Sequence, residues 1–126
     1  MTLIQIKKSD AAIARFLGWS LGHPDKSETR WQTNWFELDN GSIVYRHEIL
    51  LFHADWNWLM KAAKVWDNLD GKPFPVAAGE NLKEIHRQYV DHCDHLDDAV
   101  TLYEIEDAFA ALVDCVHWYN LVTGKG

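Results

Sequence analysis

Between residues 102 and 119, Leu102, Ile105, Phe109, Leu112, Val116 and Tyr119 recur at alternating steps of three and four. An α-helix brings side chains spaced in this way onto one face, and the resulting apolar stripe has to be buried. The spacing predicts a final helix from about Leu102 to Leu121, with residues 122–126 as a frayed tail. A second helix is predicted from Asp55, a good N-cap, to Asn68. It carries Trp56, Leu59, Met60, Ala63 and Trp66 on one side and Trp58, Ala62, Val65 and Leu69 on the other. Such a helix is buried on two sides or offers one side to a partner. The facing stripes predict one core in which Trp56, Leu59 and Ala63 meet Phe109, Leu112 and Val116.

Weaker signals fill in the rest. Ser9-Asp10 can cap a first helix running from Asp10 to about Leu21, with Ile13, Phe16 and Leu17 on its packed side. Residues 22–30 are polar and contain Gly22 and Pro24, which reads as a flexible loop. Trp31–Leu38 and Ser42–Arg46 alternate apolar and polar residues around Asp39-Asn40-Gly41, so a hairpin is expected there. Leu82, Ile85, Tyr89 and Cys93 keep helical spacing, which predicts a helix over Asn81–Cys93. Pro73–Glu80 reads as a loop or an edge strand. Together these elements predict a single α+β domain of three to four helices packed with a small antiparallel hairpin or sheet.

Charge limits the partners. The 126 residues include 19 acidic and 12 basic ones, a net charge of -7. A field of that sign disfavours direct binding to nucleic acid or to an anionic membrane and suits a basic protein partner. The chain opens without the apolar core of a secretory signal, and no apolar run approaches the ~20 residues that span a bilayer. The expected compartment is therefore the reducing cytoplasm, with Cys93 and Cys115 as free thiols and no disulfide between them.

The segment Leu51-Phe52-His53-Ala54-Asp55-Trp56-Asn57-Trp58-Leu59-Met60 stands out beside Phe16-Leu17-Gly18-Trp19 and Trp118-Tyr119-Asn120. These three blocks resemble the pattern of a family of short phage and prophage proteins without an assigned activity. The resemblance implies a small accessory protein made in an infected bacterial cell, such as a counter-defence factor. Lys61–Trp66 departs from the family's pattern, which implies a different partner for the exposed face of the second helix.

Four groups of residues are candidates for chemistry. His53 and Asp55 form a His-x-Asp pair that suits acid–base work or ligand orientation, while Asp55 alone suits a helix cap. Asp91, His92 and His95 lie in a run with Cys93 and three more carboxylates, adequate for zinc by ligand type but irregular in spacing. Lys61 and Lys64, near Trp58, suit a small anionic aromatic ligand such as a nucleotide. Trp31, Trp35 and Trp58 are the tryptophans that a small core is least able to absorb, out of seven in the chain, and interfaces concentrate Trp. No nucleophile with a base and an orienting group emerges, and no cofactor motif. The expectation is a non-catalytic protein that binds a host or phage protein, or a second copy of itself. A small-molecule sponge with an aromatic pocket and a metal-dependent enzyme are the alternatives.

Overall fold

The computed structural model of the chain describes residues 1–22, 35–37, 43–46, 50–69 and 81–124, with side chains outside the strands. Four helices account for most of them: α1 (Leu3–Phe16), α2 (Trp56–Asp67), α3 (Leu82–Thr101) and α4 (Ile105–Thr123). Three segments, β1 (Ser20–Gly22), β2 (Trp35–Glu37) and β3 (Ile43–Arg46), pair in the order β1-β3-β2. β1 runs parallel to β3, and β2 antiparallel to it with Phe36 opposite Val44. Every buried residue described lies in a helix or in the Leu50–Phe52 approach to α2. The core is helix packed on helix. The protein is therefore all-α in class, not α+β as the sequence suggested, because four helices make up most of the described chain and carry its described core. Trp31, the Asp39–Gly41 turn, Pro73–Glu80 and most of the 22–30 loop lie outside the described residues.

α1 starts seven residues earlier than the spacing suggested. Thr2 is its N-cap: the Thr2 hydroxyl accepts the Gln5 N–H at 3.2 Å while the Gln5 side chain accepts the Thr2 N–H at 2.8 Å. This reciprocal box satisfies two donors that an open helix end would leave bare. Ser9 and Asp10 are thus not a cap but buried residues in mid-helix. The helix stops at Gly18, whose φ of +81° an L side chain would resist. Gly18 N–H donates to the Arg15 carbonyl and Trp19 N–H to the Ala14 carbonyl, both at 2.9 Å. This paired closure turns the chain back and carries Trp19 onto the core.

α3 and α4 form the principal helix pair. Ile85, Tyr89, Leu96 and Ala99 are buried along α3, so the helix continues eight residues beyond Cys93. The four aspartates between Asp91 and Asp98 are exposed on that continuing helix, while Leu96 among them is buried. Leu102 caps α3 and Tyr103 turns the chain with φ of +59°; Leu102 therefore leaves the stripe assigned to it and is 67% exposed. α4 is buried nearly all round, through Phe109, Ala111, Leu112, Val113, Cys115 and Val116. It keeps Val122 buried and ends at Gly124, so residues 122 and 123 are helix rather than tail.

In α2, Leu59, Ala63 and Trp66 are buried while Trp56 is only half-buried. The fully enclosed tryptophan is Trp66, at 0% exposure, packed against Tyr89 and Trp118. The Tyr89 hydroxyl donates to the Trp66 carbonyl at 3.0 Å and ties α3 to α2. Among the described residues no helix is long and apolar enough to cross a membrane.

Candidate functional site

The three blocks singled out in the sequence pack against one another. Trp19, Phe52 and Trp58 form a triad with ring centroids 5.3–5.8 Å apart. Phe16 meets Tyr119 edge-on at 5.3 Å. Trp58 is therefore half-buried among rings rather than surplus on the surface. Trp35 lies on β2 opposite Tyr45, and Trp31 lies outside the described residues. The proposed cluster of Trp31, Trp35 and Trp58 is not assembled by the described residues.

His53 has a partner that no local pattern announces. Its Nδ1 lies 2.5 Å from Asp10 Oδ2, and its backbone N–H donates to Asp10 Oδ1 at 3.2 Å. Asp10 reaches it from mid-α1 with a side chain only 3% exposed, against 32% for His53. Burial pushes the Asp10 carboxyl up to about 6, opposed by the His53 charge and by hydrogen bonds from His53 and the Phe52 backbone. A buried carboxylate is tolerable only with such partners. Asp55, the other half of the His-x-Asp pair, instead caps α2 by accepting the Asn57 N–H at 2.8 Å. The His53 ring meets Phe109 at 6.1 Å, near perpendicular.

Beside this dyad is a cavity of about 580 Å³, lined by Met1, by Ile6 of α1, by His53 and Ala54, and by Ile105, Glu106, Phe109 and Ala110 of α4. Its size and its mostly apolar wall with a few polar groups match ordinary ligand sites. Among its lining residues Met1 is 64% exposed, and Tyr103, two residues before Ile105 in the chain, is 84% exposed. Tyr103 holds a left-handed conformation that costs a non-glycine residue about 1–2 kcal/mol. With Asp10 fixing Nδ1, the His53 ring has Nε2 left to meet whatever enters.

The histidine-rich run forms a second, smaller depression of about 260 Å³ between α3 and α4, lined by Gln88, Asp91, His92, His95 and Asp114. His92 stacks on Trp118 at 5.3 Å, and Trp118 Nε1 donates to Gln88 Oε1 at 2.7 Å. Burial lowers the His92 pKa, helped by His95 and opposed by Asp114 and Asp91. Asp91 is engaged by Arg87 at 2.7 Å. Among the described residues no three His, Cys, Asp or Glu side chains converge as a metal would require.

The remaining candidates do not meet at either site. Lys61 and Lys64 are exposed on α2, and among the described residues no lysine lines the large cavity. Cys115 is buried, its thiol donating to the His92 carbonyl at 3.7 Å and pushed up to about 12 chiefly by burial. Burial also raises the half-buried Cys93 thiol, against the pull of Tyr89 and Trp66. Neither thiol is an activated nucleophile. Protein-family models, curated proteins and solved structures yield no match to this chain.

Proposed function

We propose that the chain is a non-catalytic binding protein that docks a host or phage protein through the cavity between the start of α1 and the start of α4. The observation that carries this reading is the cavity itself: about 580 Å³ of largely apolar wall, with the exposed Met1 among its lining residues. Apolar surface gathered in this way marks interaction sites more often than it marks idle surface. The Asp10–His53 dyad supports binding more than turnover, because among the described residues no hydroxyl or thiol nucleophile lines the cavity with it. On this reading the dyad locks the 51–55 turn to α1 and presents one imidazole edge to the partner. The reducing cytoplasm of an infected bacterial cell fits two thiols and an acidic surface, and a counter-defence role fits a protein that works by occupying another.

The test fills the cavity. Ala110→Trp places an indole where the partner would insert, from a half-buried position on the cavity wall. Wild-type protein purified from infected cells should retain one protein partner in stoichiometric amount, and Ala110→Trp should release it while melting within a few degrees of the wild type. Retention by both forms rejects the cavity as the docking site. Co-purification of a small molecule without a protein favours the small-molecule alternative.

A further inference from the structure

The composition of the cavity wall carries information about what enters it. Six of the lining residues are apolar, and the two polar ones are His53 and Glu106. Both offer hydrogen-bond acceptors. The Glu106 carboxylate accepts only, and a neutral imidazole that donates Nδ1–H to a carboxylate keeps its lone pair on Nε2. Glu104 and Asp107 flank Glu106 at the start of α4, where no side chain caps the helix. Among the described residues no lysine or arginine side chain lines the cavity. Among the described residues the Met1 amino group is the one cation a lining residue carries, against these three carboxylates and a chain charge of -7.

An anionic occupant would meet like charge and would find no side-chain donor on the wall. An ammonium or guanidinium would find two acceptors beside an apolar surface. The volume also exceeds what one side chain fills and suits two anchors from consecutive turns of a helix. We infer that the partner segment is a basic amphipathic helix, with apolar anchors at i and i+4 seated against Ile6, Ile105, Phe109 and Ala110, and a neighbouring lysine or arginine donating to Glu106 and to His53 Nε2. This inference rests on the docking reading above and specifies its chemistry.

The test uses synthetic helices as probes. One carries leucines at i and i+4 with lysines beside them; a second replaces the lysines with glutamates; a third keeps the lysines and replaces the leucines with serines; n-octylammonium is the small-molecule control. Binding is read by NMR shifts at His53, Ile105 and Phe109, and by calorimetric Kd. The lysine–leucine helix should bind at least about ten-fold tighter than the other two, in keeping with electrostatic and apolar selection together. Glu106→Lys should reverse or erase the preference for lysine over glutamate without altering the melting temperature. Equal binding of the lysine and glutamate helices, both lost in Ala110→Trp, overturns the charge chemistry and leaves the docking site standing. No shift at the cavity residues with any helix overturns the inference and the docking reading together. Octylammonium binding as tightly as the lysine–leucine helix makes the occupant a free amphiphilic amine and overturns the inference.

Discussion

Asp10 and His53 stand 43 residues apart in sequence and 2.5 Å apart in space. The carboxylate is buried in the middle of α1, and both of its oxygens face the 51–55 turn, one meeting the ring and one the backbone N–H. Removing the imidazole strands a buried charge. His53→Ala should therefore cost about 3–5 kcal/mol at neutral pH, the range for breaking a buried pair from one side. Urea titration checks it, and a loss under 1 kcal/mol would show that water reaches Asp10.

The same carboxyl gives the protein a pH slope of unusual sign. Its folded pKa, about 6, lies above the unfolded value of 3.8. The folded state holds this proton more tightly, so the contribution is fully present below 3.8 and is lost as pH rises through 6. Asp10→Asn removes the titration and keeps an acceptor for the His53 N–H. Wild type should lose stability relative to Asp10→Asn between pH 4 and pH 6.5, by up to about 3 kcal/mol from the size of the shift. Chemical denaturation of both proteins at several pH values measures the difference. Parallel curves would place the Asp10 proton elsewhere.

Trp66 should be the tryptophan the fold can least lose. It is fully enclosed and braced by Tyr89 and Trp118, whereas Trp56 is half-buried. Trp66→Ala should cost about 3–5 kcal/mol and Trp56→Ala less than half of that. Trp66→Phe should cost less than Trp66→Ala, because it keeps a ring against Tyr89 and Trp118. Equal losses for Trp56→Ala and Trp66→Ala in guanidinium unfolding would contradict the ranking.

Tyr103 works against its own turn. At φ of +59° a glycine avoids the Cβ clash and gives back part of that gain in unfolded-chain entropy. Tyr103→Gly should stabilise the protein by about 0.5–1 kcal/mol. If the ring serves docking, the same change should weaken partner binding, so opposite movements of melting temperature and affinity are expected. A destabilised Tyr103→Gly would mean the ring is held by contacts that outweigh the strain.

Which features could be read from the sequence follows from how local their causes are. α4 was legible because its apolar stripe repeats over five turns, and α2 because Asp55 caps it and apolar residues follow. α3 was cut short at Cys93 because four aspartates hid the continuing Leu96 and Ala99. The start of α1 was legible in principle: Thr2-Leu3-Ile4-Gln5 has the spacing of a reciprocal cap, but Ser9-Asp10 offered a nearer and more familiar one. The all-α class was obscured by an Asn-Gly turn signal and alternating residues, which do not reveal whether a ribbon joins the core. In the site, His53 drew notice through its neighbour Asp55, while its true partner has no local relation to it. The cavity was not legible, since it depends on how the starts of two helices meet.

The α3–α4 pair also bears on the order in which the chain assembles. Its helices are joined by a three-residue turn, Leu102-Tyr103-Glu104, so their contacts close over short stretches of chain at small entropic cost. The Asp10–His53 contact closes a loop of 43 residues, and it has to strip water from a carboxylate as it does so. Local contacts form faster than distant ones. The expected sequence is an early helical hairpin at the C-terminal end, onto which α1 and the 51–55 turn lock last. Cavity residues are contributed by both groups, so a docking site between α1 and α4 would come into being only at the final step, and a partially folded chain would present no site for a partner to capture.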